Sequence, residues 1–136
     1  MIRLVTTILA LSACSSNDGV ISSVNFVQEP IDPACAVGQV KALDDMVLLG
    51  LKESHRRTRA VFDVAGREEL LLNVLTPKNR GHAVYVSIRP SQPDNPLRYR
   101  ASRLAVQQAD EAIYANCTED GRTYGPASVT IEGQKE

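Results

Sequence analysis

No Gly-x-Ser-x-Gly elbow, no Gly-rich phosphate loop, no Cys-x-x-Cys pair and no tryptophan occur in this chain. A serine hydrolase of the elbow type, a P-loop nucleotide enzyme and a thioredoxin-like redox protein are therefore not expected. Histidine is scarce: His55 and His82 are the only two, and neither belongs to a His-x-x-x-His or His-Glu-x-x-His spacing, so no local zinc motif exists. Charge of one sign is missing as well. Fifteen Lys and Arg against sixteen Asp and Glu leave a net charge of -1, which removes the bulk positive field of a nucleic-acid-binding protein. Internal repeats and low-complexity stretches are absent.

What is present is an ordinary globular composition. Hydrophobic residues at 43% and charged residues at 23% suit a folded chain, and 136 residues leave room for one domain. The adjacent acidic pairs Asp44-Asp45, Glu68-Glu69 and Asp110-Glu111 read as solvated surface, because neighbouring side chains diverge on a helix or strand and do not aim at one point.

The N-terminus has an order of its own. Arg3 precedes an uncharged apolar run that ends in small residues, the arrangement of a secretory signal. The run is about ten residues, half of the roughly 20 that a spanning helix needs, so it is a segment to be removed. Leu11-Ser12-Ala13-Cys14 resembles the lipobox of bacterial lipoproteins. The resemblance covers residues 1–14 only. It implies cleavage before Cys14, a diacylglyceryl group and palmitate on that cysteine, and a membrane partner reached through the lipid. In enteric-type lipoproteins an Asp after the acylated Cys retains the protein in the inner membrane. Ser15 stands there, so the resemblance implies the outer membrane, facing the periplasm. Residues 15–23 are mostly small and polar and read as a tether, reaching about 15–20 Å as a flexible coil. The expected organisation is a signal peptide over 1–13, the acylated Cys and tether over 14–23, and one globular domain over 24–136.

With Cys14 consumed by lipid, Cys35 and Cys117 remain in an oxidising compartment and have only each other to pair with. The alternative is two buried thiols. A bridge would close a loop of 82 positions (117 − 35), a stabilisation of about 4.5 kcal/mol in the chain-entropy picture.

The expected fold class is α+β: a small antiparallel meander with one or two packed helices and one disulfide. Val24–Val27 reads as a short edge strand. Asp32-Pro33 starts a helix over 33–44 with Cys35 in its first turn. Four strand-length runs follow, Met46–Glu53, Thr58–Val64, Glu69–Leu75 and His82–Arg89, joined by hairpin-length connections. Val84, Val86 and Ile88 alternate with Ala83, Tyr85 and Ser87, the period of a strand with one buried face. Residues 66–75 stay open between strand and helix, since Leu and Glu favour the latter. After the proline-rich loop at 90–96, Ser102 caps a helix whose stripe of Ala105 or Val106, Ala109, Ala112 or Ile113, and Cys117 faces inward, with Gln107, Asp110 and Glu111 toward water. Ala127–Glu132 adds a closing strand.

One local charge feature remains. Lys52, Arg56, Arg57 and Arg59 form one basic group, and Arg98, Arg100 and Arg103 around Tyr99 form another; together they are a candidate anion-binding face, set against plain solvation of turns. No catalytic, metal or cofactor residue is assigned, and no cofactor or nucleic acid is expected. The expectation is an envelope lipoprotein that acts by binding or scaffolding and has an envelope protein partner. The alternative is a small periplasmic enzyme or a metal-binding carrier.

Overall fold

The structure is a computed structural model that describes residues 19–27, 30–75, 82–118 and 128–132. Cys14 and the signal segment lie outside the described residues. Six strands, β1 (Val20–Val27), β2 (Met46–Ser54), β3 (Arg57–Val64), β4 (Glu68–Leu75), β5 (His82–Ile88) and β6 (Ser128–Glu132), form one sheet in the order β2-β3-β4-β5-β1-β6. Every neighbouring pair is antiparallel. Strands β2 to β5 are the expected meander, and of residues 66–75 the last eight, Glu68–Leu75, form a strand after a turn. Their burial alternates strictly, with Glu68, Leu70, Leu72 and Val74 inside, and that period outweighs the helix propensity of Leu and Glu.

The first strand corrects the tether. It begins at Val20, and Ile21, Ser22 and Ser23 are buried, so residues 20–23 belong to the domain. Nor is this an edge strand: β1 pairs with β5 on one side and with β6 on the other. The small polar residues fit because Ser23 and Asn25 face the helices, where a polar contact is waiting for them.

Two helices, α1 (Pro33–Lys41) and α2 (Pro96–Cys117), cover one face of the sheet. Helix α1 starts where the sequence places it. Asp32 accepts from the Ala34 amide at 3.2 Å and Pro33 needs no hydrogen-bond partner for a missing N–H. The helix ends at Lys41, before a turn in which Asp45 adopts φ 65°. Because β1 and β2 lie on opposite sides of the meander, the connection between them must cross the sheet, and α1 does so over β2, β3 and β4.

Helix α2 starts seven residues earlier than the Ser102 cap implies. Asn95 caps it by accepting from Leu97 and Arg98 amides at 3.1 and 3.2 Å, and Pro96 occupies the first turn. The last proline of the loop thus opens the helix, and Ser102 is an interior residue, 2% exposed. α2 lies over β1, β5 and β6. Between helices and sheet, Phe62, Leu70, Leu72, Val84, Val86 and Ile88 meet Ala36, Val40, Val106, Ala109 and Ile113 in one core.

Cys35 in the first turn of α1 and Cys117 at the end of α2 form the disulfide, with an S–S distance of 2.10 Å. The bridge staples the two helices to each other.

Candidate functional site

Alternation along the strands decides which side chains share a face. Residues paired with helix-facing Ala60 and Thr58 also point to the helix side, and residues paired with Arg57, Arg59 and Val61 point away from it. Among the described residues neither helix lies on that second face. Its rows run directly across the strands. Lys52, Arg59, Asn73 and Tyr85 make one row, Gly50, Val61, Leu71 and Ser87 the next, and Arg57, Leu75 and Ala83 a third.

The seven basic residues singled out by sequence do not form one face. Lys52, Arg57 and Arg59 share the helix-free face, with Lys52 and Arg59 directly opposite each other, and Arg56 sits in the two-residue turn beside His55. Arg98 belongs elsewhere. Its guanidinium donates to Glu68 at 3.3 Å and to the Ser91 hydroxyl at 3.2 Å. Glu68 is 7% exposed and also accepts from the Ser91 amide at 2.8 Å, so it is a bound carboxylate and not the solvated one its sequence neighbours suggested. Glu68 pairs with Val64, at the end of β3 opposite Arg57. Seven residue steps separate Arg57 from Val64, or about 23 Å along a strand. Arg100 and Arg103 line a separate cleft with Tyr99, Pro93, Asp94 and Pro96 at the start of α2.

Two arginines that sequence reasoning missed complete a different grouping. Arg67 in the β3–β4 turn and Arg89 after β5 join Arg59 around an open cleft of about 580 Å³ on the helix-free side. Val61, Leu71, Glu69, Ser87 and Val20 also line it. The turn that presents Arg67 is tight: Ala65 and Gly66 adopt φ 55° and 70°, and the Arg67 amide donates to Val64 at 3.0 Å. Asp63 accepts from the Gly66 amide at 2.8 Å and braces the same turn. No local motif joins Arg59, Arg67 and Arg89; only the strand register brings them together.

The second omission is buried. Asp110, expected in water, is 3% exposed and accepts from Asn25 Nδ2 at 2.8 Å. Asn25 also donates to Ser23 at 3.2 Å, and the Tyr114 hydroxyl donates to the Asn25 carbonyl at 3.4 Å. Burial raises the Asp110 carboxyl to about 6, against the lowering effect of its Ser23 and Asn25 hydrogen bonds. Burial first, and the Asp110 charge second, push the Tyr114 phenol upward, so it stays neutral. A signal existed in the sequence: Asp110 is four residues from both Val106 and Tyr114, on the inward stripe.

His55 is exposed in the β2–β3 turn. His82 opens β5, and its side chain lies outside the described residues. No group of three or more metal-ligating side chains occurs among the described residues. The chain matches no family model, no curated protein and no solved structure.

Proposed function

We propose that this protein is a lipid-anchored, non-catalytic binding module of the bacterial envelope, and that the hairpin end of its helix-free sheet face takes an acidic protein partner. The observation that carries the reading is the placement of Lys52, Arg57 and Arg59 on one face without an ion pair among the described residues. Like charges directly opposite in a sheet oppose each other, and Lys52 and Arg59 are such a pair. The acids of β2, β3 and β4 point or lie elsewhere. Glu53 pairs with buried Thr58 and so points to the helix side. Asp63 and Glu69 pair at the other end of the strands, and Glu68 is held by Arg98. Among the described residues, Lys52, Arg57 and Arg59 make no ion pair.

A partner bearing clustered carboxylates would relieve that repulsion, and guanidinium groups fit carboxylates through two parallel hydrogen bonds. The lipobox at Cys14 supplies the membrane attachment, and Ser15 the outer-membrane address.

The test places a photocrosslinking residue at Lys52 in the full-length lipidated protein, with a control at Gln108 on the exposed side of α2. The expected result is a discrete adduct to a protein with an acidic surface, formed at 52 and not at 108. It weakens in Arg57→Gln/Arg59→Gln and at raised salt. Equal labelling at both positions, adducts to lipid only, or labelling indifferent to salt and to the arginines would overturn the reading.

A further inference from the structure

Helix α2 turns one side to the sheet and leaves the opposite side bare. Val106, Ala109 and Ile113 are buried against the core. Opposite them run Leu97, Ala101, Leu104, Gln108, Glu111 and Ala115, all exposed, with Leu97 at 73% and Leu104 at 53%. The steps along that line are four, three, four, three and four residues, the spacing of a seam between two helices. Single exposed leucines are ordinary. Two of them seven residues apart, with Ala101 between, make a ridge.

The charges beside the ridge select what covers it. Arg100 and Arg103 stand in the N-terminal half of α2 and Glu111 in the C-terminal half, with no acid in the first turn and no base in the last. That order opposes the helix dipole, which favours the reverse. Arg98 is already held by Glu68. Asp94 lines a cleft with Arg100 and Arg103, yet among the described residues Arg100, Arg103 and Glu111 make no ion pair. Asp110, next to Glu111, is buried and faces β1.

Arg100 and Glu111 are eleven positions apart (111 − 100), close to three full turns, so they lie on the same flank of the ridge. Two antiparallel helices related by a twofold axis bring like flanks together. A second α2 laid antiparallel therefore sets Arg100 against the partner's Glu111, and Glu111 against the partner's Arg100. A parallel neighbour would set unlike flanks together and leave these charges unmatched. The pairing also fixes the register. Its twofold axis passes between positions 105 and 106, midway from 100 to 111, and Leu104 and its symmetry mate lie three residues apart along the axis, about 4.5 Å. Leu97 comes over the small Ala115 of the second copy.

The size of the ridge sets the strength of the contact. From 97 to 115 it is about 28 Å long and about 10 Å wide, roughly 300 Å². A standard stable interface takes about 800 Å² per partner, so this one is weak and forms with concentration.

We propose that the outer side of α2 is a self-association surface, on which a second copy of this chain docks antiparallel through Leu97 and Leu104 and through an Arg100–Glu111 pair made twice by symmetry. It requires neither the anchor at Cys14 nor the acidic partner at the hairpin.

The experiment follows the mass of the full-length chain against its concentration by analytical ultracentrifugation in density-matched neutral detergent. A photocrosslinking residue at Gln108 maps the contact. Mass is expected to rise from one chain toward two, and the adduct at 108 to join two copies, ending in the partner's segment 100–107. That adduct differs in mass from an acidic-partner adduct at Lys52, so the two readings fail separately. Arg100→Glu and Glu111→Arg are each expected to weaken association by about tenfold, since each turns two attractions into two repulsions. Mixed in equal amounts, the two variants should associate as wild type does, because every contact between positions 100 and 111 then again joins opposite charges. A fold damaged by either substitution could not recover on mixing. Leu104→Asp should stay one chain at every concentration with unchanged far-UV circular dichroism, raised salt should weaken wild type, and Lys52→Gln should leave association unaltered. A chain that stays monomeric throughout, charge variants that mixing does not rescue, or self-adducts at 108 that end in other segments would overturn the proposal.

Discussion

Asp110 is the residue on which the interior polarity of the molecule turns. It enters the core from α2 and meets Asn25 and Ser23 of β1, and that contact gives two small polar strand residues a place inside. The carboxyl titrates near 6 in the fold against about 4 in an unfolded chain, because burial disfavours its charged form. The folded state therefore takes up the proton first as pH falls. The resulting stabilisation is complete below about pH 4 and is lost as pH rises through about 6. From the values of about 6 and 3.8, the difference across that window is about 3 kcal/mol. Asp110→Asn keeps an acceptor for Asn25 and cannot ionise. The variant is expected to be more stable than wild type at pH 8 by about 1–3 kcal/mol, and to match it near pH 3.5. Chemical denaturation at both pH values reads the difference; a variant less stable than wild type at pH 8 would show that the charge itself holds Asn25. The sequence carried the clue to Asp110 in its spacing, and the polarity of the side chain overrode it. Arg67 and Arg89 are another matter. They are 22 positions apart (89 − 67), and nothing short of the β4–β5 register puts them beside Arg59.

At the level of elements, the legible parts were those whose pattern is local. Alternation at Val84, Val86 and Ile88 marks β5, Asp32-Pro33 marks the start of α1, and Cys35 and Cys117 mark the bridge. The start of α2 was hidden because Pro96 ends a loop in one reading and opens a helix in the other, and Asn95 decides by capping. The β1 position was hidden because its partners lie 55 or more residues away in sequence. Strand β2 at the sheet edge exposes Val47, Leu49 and Leu51, and its register breaks between Leu48 and Gly50. Such an irregularity interrupts the ladder that another strand would extend. The disulfide acts between elements. Its separation is 82 residues, and α1 and α2 pack together on the sheet, so losing it loosens both helices at once. Cys35→Ser and Cys117→Ser are each expected to lower stability by about 2–5 kcal/mol. The double variant should be no worse than either single one, since both remove one interaction. Alkylation after unfolding without reductant checks the premise, and labelling of both cysteines in the native protein would refute it.

The whole molecule has two ends, defined by strands that run between them. At one, β1 begins beside the cleft of Arg59, Arg67 and Arg89. At the other, the β2–β3 turn carries Arg56 with Lys52 and Arg57 behind it. The helices cover one face and, among the described residues, neither lies on the other. Among the described residues no helix is long and apolar enough to cross a membrane. In the lipoprotein reading the orientation of these ends is set by a single atom, the Cys14 sulfur. If diacylglycerol is attached there, Cys14→Ser should leave the signal segment uncleaved and the chain unlabelled by radioactive palmitate. Palmitate incorporation equal to wild type would remove the anchor. Ser15→Asp probes the address separately, because it leaves the acylated cysteine in place and supplies the acidic residue that retains enteric-type lipoproteins in the inner membrane. Wild type is expected in the outer-membrane fraction and Ser15→Asp in the inner, with equal palmitate in both. Since position 15 lies outside β1, thermal unfolding of the two should coincide. A shift in membrane fraction without a shift in stability would then report sorting alone, and an unmoved Ser15→Asp protein would mean that residue 15 does not set the address.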